Sequence, residues 1–216
     1  MKTFLIIIFL PFIALAQSEF IKKGHFGVGA NFGFVTNAVM NGSGGSFGMS
    51  IGGIGEFGAE YINAEITNES SEYSSSSTLL YIAYNVKRKN NKSNFKLLLG
   101  FMISKLSNRF ENSGIAVGFS FTIRAIETEK IMLLPALSMV YGFLEVEERS
   151  YYGNYFPERD SYILNTRSIS LEVNLKVKLS ENMSFIIGPS IAKNLNNTEN
   201  SIAYSILGGL LLDLEM

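Results

Sequence analysis

The chain has no cysteine and no tryptophan, one histidine and four prolines among 216 residues, and only 17% of its positions are charged. Without cysteine there is no disulfide scaffold and no thiolate metal site. The histidine is His25 and the aspartates are Asp160 and Asp213. Histidine, cysteine and aspartate, which supply many general bases and metal ligands, are therefore scarce. Neither charge sign dominates: 18 Lys+Arg against 19 Asp+Glu give a net −1, so no basic field invites nucleic acid. Past residue 16, no apolar run approaches the roughly 18 residues of a transmembrane helix. What the chain has instead is 47% hydrophobic residues together with 20 glycines, too apolar for disorder. The length limits it to one domain or at most two.

Part of that apolarity sits at the start. Lys2 supplies a positive n-region, Phe4 to Ile13 an apolar h-region, and Ala14-Leu15-Ala16 an A-x-A site. Residues 1–16 therefore read as a signal peptide cleaved before Gln17, and residues 17–216 as the mature domain. The unbroken apolar stretch is about 13 residues, short of the roughly 20 a membrane-spanning helix needs.

The mature chain alternates with period two. Ile169, Leu171, Val173, Leu175, Val177 and Leu179 share one face, and Ser168, Ser170, Glu172, Asn174, Lys176 and Lys178 the other. Phe26, Val28, Ala30, Phe32 and Phe34 alternate with Gly27, Gly29, Asn31 and Gly33. Such alternation marks strands with one apolar face. A secreted soluble barrel would turn that face inward. Three features favour the inverse. The runs are longer than the roughly five or six residues of an average soluble strand and reach the 9 to 11 a membrane strand needs. The polar faces are rich in Gly, Ser, Ala, Asn and Thr, small enough to fill a narrow lumen. Aromatics gather near strand ends, at Tyr141, Phe143 and Tyr162, as in an interfacial girdle. A sheet in lipid must close, since open edges leave amides unpaired in hydrocarbon.

The expected fold is all-β, an antiparallel up-and-down transmembrane β-barrel of about ten strands, within a range of eight to ten. Strands are expected near 25–38, 46–56, 60–67, 78–88, 94–107, 114–127, 130–147, 162–180, 183–194 and 201–215. Short turns at Gly55–Glu60, Lys87–Asn94, Glu127–Lys130 and Ser180–Met183 would face the periplasm. Longer loops at Thr67–Ser77, Asn108–Ser113, Glu147–Ser161 and Asn194–Asn200 would face outward, with the run Ser70–Ser77 a solvated loop. Pro135 and Pro189 fall inside strands, where each removes a ladder donor, and a bulge is expected at each.

The last strand carries a resemblance. Tyr204, Ile206, Gly208, Leu210, Leu212, Leu214 and Met216 alternate to the final residue. In that pattern the chain resembles the OmpX/OmpA-type, porin-like outer-membrane β-barrel family, and Gly188-Pro189-Ser190 resembles its penultimate strands. The family's last residue is usually an aromatic, and Met216 departs from that. The resemblance implies a bacterial outer-membrane location, outer-membrane lipids as surroundings, and insertion by the barrel assembly machinery reading Leu210, Leu212, Leu214 and Met216. It implies no cofactor and no particular activity.

The chemistry expected of the chain is correspondingly sparse, with no catalytic, cofactor or metal residues assigned. Gly27-Val28-Gly29 and Gly52-Gly53-Ile54-Gly55 are not dinucleotide fingerprints, because no helix follows them. On the inward parity, Lys96, Arg124, Lys176 and Lys178 accompany Glu172. They read either as a plug in which Glu172 pairs with a neighbouring base or as a basic constriction that biases a narrow pore toward anions. Eight to ten strands leave little room for the second, as wide channels use about 16 to 18. In the loop after β-strand residues 130–147, Tyr151, Tyr152, Tyr155, Phe156 and Arg159 read as girdle or as contact residues for an unidentified surface ligand. The functional expectation is a non-enzymatic outer-membrane scaffold presenting loops for surface interaction or envelope integrity. A narrow anion-biased pore is the alternative, with an outer-membrane enzyme behind both.

Overall fold

A computed structural model describes residues 21, 24–37, 40–68, 71–87, 92–106, 110–149, 159–196 and 202–215. The alternating runs become ten long strands and one two-residue strand: β1 His25–Thr36, β2 Met40–Ile51, β3 Gly55–Asn68, β4 Ser71–Lys87, β5 Ser93–Leu106, β6 Phe110–Ile123, β7 Ile126–Glu127, β8 Ile131–Arg149, β9 Arg159–Lys178, β10 Met183–Asn194 and β11 Ile202–Glu215. Neighbours along the chain pair antiparallel except β6 and β7, which both pair with β8, and β1 pairs with β11. The sheet is therefore a closed barrel of ten strands, with β7 continuing β6 alongside β8. Closure satisfies the edge amides that an open sheet would expose.

The register fixes the tilt. Starting at Phe26 and stepping through Ile51, Gly55, Tyr84, Leu97, Phe119, Met139, Ile169, Lys193 and Ile202 returns to β1 about 12 residues further along. In ten strands that stagger corresponds to a tilt of about 40°. The even count puts the start of β1, His25, and the end of β11, Glu215, at one end of the barrel, the terminal end, where they face each other in register.

The two faces of the wall are inverted relative to a soluble barrel. Phe32, Phe34, Leu80, Ile82, Leu99, Ile115, Phe143, Leu171, Ile191, Tyr204 and Leu210 point outward and are exposed. On β5 this band runs from Phe95 to Ile103, which at about 3.3 Å per residue and 40° of tilt is about 20 Å between the end Cα atoms, comparable with the roughly 25 Å apolar belt of an outer-membrane barrel. Toward the far end most outward positions become polar, with Asn41, Ser43, Asn63, Glu65, Ser74, Ser76, Lys105, Glu145 and Asn165, while Ile163 and Leu195 remain apolar. Inward positions are buried. An aliphatic cluster including Met40, Ile62, Leu79, Leu98, Val140 and Leu144 fills the middle and far part of the lumen, and Ile21, Leu134, Ile186 and Leu211 fill one side of the terminal part. A soluble barrel would not leave so large an apolar belt outside.

Several expected boundaries shift. The β2–β3 turn is not at Gly55–Glu60 but at Gly52-Gly53, whose φ values of 61° and 62° fit a turn with both central residues left-handed; Ile54 N–H donates to the Ile51 carbonyl at 3.0 Å. The described residues of the expected loop Thr67–Ser77 are strand. β3 and β4 continue to Asn68 and Ser71, and Ser75 and Ser77 point inward, buried, against Ala64 and Ile62. Serine has modest strand preference, but alternate serines here occupy a two-faced wall, and Ser75 Oγ donates to the Lys105 carbonyl at 3.1 Å. β6 likewise begins at Phe110, within the expected loop Asn108–Ser113. Of the expected loop Glu147–Ser161, strands β8 and β9 take both ends.

The prolines are accommodated in two ways. Opposite Pro135 the register slips by one: Thr122 faces Ala136, yet Ile126 faces Leu133, so a bulge separates β6 from β7 at the proline. At Pro189 there is no bulge. The register is the same on both sides of it, and the ladder to β9 is interrupted only opposite Val173 and Asn174. A single ladder gap costs less distortion than an inserted residue where both neighbours hold register.

Candidate functional site

The site with the most chemistry is a buried charged group in the terminal half of the lumen, on β3, β4 and β5. Glu56 is the second residue of β3 and points inward. Lys96 Nζ lies 3.0 Å from Glu56 Oε2, with side chains 0% and 1% exposed. The Tyr81 hydroxyl donates to Glu56 Oε1 at 2.9 Å. One carboxylate therefore receives a cation on one oxygen and a phenol on the other, the satisfaction a buried charge requires. Gly58 makes this possible: a Cβ there would stand 2.6 Å from the Tyr81 hydroxyl oxygen, so any side chain would block the ring's reach to Glu56. Glu60, buried on the same face of β3, stands two inward positions above Glu56. Asn85 Nδ2 donates to the Gly53 carbonyl at 2.9 Å and fastens the β2–β3 turn beneath the group.

Elsewhere on the inward face, between the aliphatic clusters, some small polar side chains pair locally. Ser138 donates to Ser120 at 2.9 Å, the Ser190 and Ser205 hydroxyls are hydrogen-bonded at 2.6 Å, and Asn31 donates to Ser46 at 3.3 Å. Glu172 is buried on β9, flanked in register by Ala136 and Ser190. Gly188 leaves space for it and for Asn174, whose Oδ1 would lie 2.2 Å from a Cβ at that position.

The expected charge cluster is spread over three places. Lys96 takes Glu56 as its partner, not Glu172. Arg124 pairs with Glu127 at 3.0 Å, three residues along the chain. Lys176 is half-buried and Lys178 exposed; with Arg124 and Lys130 they line a pocket of about 410 Å³ at the terminal mouth. Glu127, Glu129, Glu181 and Asp213 line the same pocket, so acid matches base there. Ile21 also lines it, buried against Leu134, Ile186 and Leu211. At the seam between first and last strands, His25 Nδ1 lies 2.8 Å from Asp213 Oδ1, an ion pair whenever the imidazole is protonated.

Of the expected loop contacts, Tyr151, Tyr152, Tyr155 and Phe156 lie outside the described residues. Arg159 opens β9, its backbone opposite Arg149. Leu210, Leu212 and Leu214 point outward and are exposed, with Leu214 in register with Phe26 across the closing seam; Met216 lies outside the described residues. The cleavage site at Ala14-Leu15-Ala16 lies outside them as well. Among the described residues no group of three or more His, Asp or Glu is placed to hold a metal.

Sequence reasoning missed Glu56, Glu60 and Tyr81. The signal was present: with the turn placed at Gly52-Gly53, the alternation Glu56, Gly58, Glu60, Ile62, Ala64 puts both carboxylates on the inward parity that the lysine shares from β5.

A closed barrel with an apolar outer belt, a lumen packed with polar and aliphatic side chains and tilted strands defines a transmembrane β-barrel of the bacterial outer-membrane kind. No family model matches the chain, and no curated protein does. Solved structures do. It is similar to the translocator domain of the autotransporter NalP from Neisseria meningitidis, with a TM-score of 0.54 and 12% identity over 87% of each chain. It is similar to the β domain of the Bordetella autotransporter BrkA, with a TM-score of 0.51 and 10% identity over 89% of this chain and 100% of that one. Against the outer membrane protease OmpT from Escherichia coli the TM-score is 0.45 and the identity 11%, over 88% and 95%. At these identities the likeness is one of fold.

Proposed function

We propose that the chain is a non-enzymatic scaffold of the outer membrane, its terminal end in the periplasm and its far-end hairpins outside, serving surface interaction or envelope integrity. In this reading residues 1–16 are removed on export, and the barrel assembly machinery reads Leu210, Leu212, Leu214 and Met216. The observation that carries it is the occupied lumen: the Lys96 side chain is wholly buried with its countercharge Glu56 beside it. A conducting path needs a hydrated lining, whereas here aliphatic side chains fill the middle of the lumen above the buried pair. Planar-bilayer recordings of the refolded chain test the reading; no steps above background are expected, and reproducible ion-conducting steps would overturn it. The anion-biased pore has less in its favour, since Glu127, Glu129, Glu181 and Asp213 offset the bases at the mouth. The extended β3–β4 and β8–β9 hairpins beyond the belt support the surface role. Deleting residues 150–158 is expected to reduce capture of a surface ligand while leaving the heat-shifted gel migration of the folded barrel intact.

A further inference from the structure

We propose that Arg167 and Lys193, at the far-end rim of the apolar belt on β9 and β10, form a site for the phosphate headgroup of an anionic membrane lipid. Their level is set by the outward side chains on their own strands. Below Arg167 come Ile169 and Leu171, and above it Asn165; Lys193 stands between Ile191 below and Leu195 above, and Leu195 N–H donates to the Arg167 carbonyl at 2.8 Å. Both cations are exposed and stand where hydrocarbon gives way to headgroups. Arg167 faces Tyr141 in register, with its guanidinium carbon 4.9 Å from the ring centroid, and Tyr141 stacks on Phe143 at 6.4 Å. The stacked ring holds the guanidinium fork in place, so less freedom is lost when it binds.

Lys193 pairs with Ile169, two residues from Arg167 on the same face. That diagonal separates Cβ atoms by about 7–8 Å, a spacing long side chains bridge with one phosphate between them. The fork suits two phosphate oxygens and the ammonium a third. Lys96, Lys105 and Arg124 all take carboxylates; among the described residues Arg167 and Lys193 are in no ion pair. The side chains nearest Lys193 on neighbouring strands are Ile169, Ile202 and Tyr204, with no acid among them. A lipid is the occupant because the cations stand on the belt itself: a phosphate held there continues downward into acyl chains lying over Ile169 and Ile191.

The test uses the chain refolded in phosphatidylcholine nanodiscs with a minor share of phosphatidic acid, whose headgroup is a bare phosphate, or of diacylglycerol, which lacks it. Native mass spectrometry counts the lipid that leaves with the barrel. Enrichment of phosphatidic acid over diacylglycerol is expected. At roughly a fivefold effect per basic residue near an anionic surface, Arg167→Gln with Lys193→Gln should lose about thirtyfold, and Lys193→Arg should retain the enrichment. Heat-shifted migration confirms that each variant is folded. Equal retention of the two lipids, or no loss in the folded double variant, overturns the proposal. Inorganic phosphate at the lipid's own concentration is expected not to displace it; displacement would make the site one for free phosphate instead.

Discussion

Replacing Lys96 by Met should strip Glu56 of its countercharge while leaving the carboxylate buried. At 3.0 Å and an effective dielectric of about 20, the gross attraction is about 5.5 kcal/mol. Removing two ions from water costs several kcal/mol each, so attraction and desolvation nearly cancel while both partners are present. Take away the lysine and only the cost remains, softened by the Tyr81 hydroxyl at 2.9 Å. Lys96→Met is therefore expected to destabilise the barrel by about 3–5 kcal/mol. Adding Glu56→Gln removes the orphaned charge and keeps an acceptor for Tyr81, and should bring the double variant to within about 1 kcal/mol of the parent. The chain has no tryptophan, so urea unfolding is followed in lipid by far-ultraviolet circular dichroism and by heat-shifted gel migration. A Lys96→Met loss below about 1 kcal/mol, or a double variant no better than the single one, would refute the reasoning.

Two further outcomes test the belt and the mouth. Ile82→Arg, in the outward apolar belt, should cost about 2–4 kcal/mol, whereas Ser76→Arg, six residues toward the far end on the same face, should cost about 0–1; equal urea midpoints would mean the belt is misplaced. A Cβ at Gly27 would lie 2.3 Å from Ile21 Cδ1, so Gly27→Ala should expel Ile21 from its seat and cost about 1–3 kcal/mol. Combined with Ile21→Ala it should cost no more than the worse single change. Additive losses would show that Gly27 and Ile21 act independently.

The wall was legible because its signal has period two and repeats. Ten strands, their parity and the outward choice of face all follow from Ile169 to Leu179, Phe26 to Phe34 and similar runs, and lipid enforces the pattern more strictly than a soluble surface does. Where strand signal and loop composition disagreed, composition misled. Ser74 to Ser77 look like solvated loop by residue type, yet antiparallel pairing with a complete partner strand holds them in the wall. In a closed barrel each strand is stabilised by two neighbours, so residues of weak intrinsic strand preference are carried along. Single-strand reasoning has no term for that.

The site was lost through one turn. Placing the β2–β3 connection three residues too late put Glu56 in a loop and left Lys96 without its partner, and the lumen then read as basic. Two consecutive glycines, both at positive φ, form a turn that other residues enter at a cost, and that local chemistry outranks the acidic, Gly-rich look of Gly55–Glu60. Once the turn moves, parity alone delivers Glu56, Gly58 and Glu60 to the lumen, and Gly58 is then the position where a neighbouring large side chain must pass. The partner across the gap, Tyr81, still requires the register between β3 and β4. A charge seen on one strand of a barrel is thus uninterpretable until the turns on both sides of every neighbouring strand are fixed, because a slip of one residue exchanges lumen for lipid.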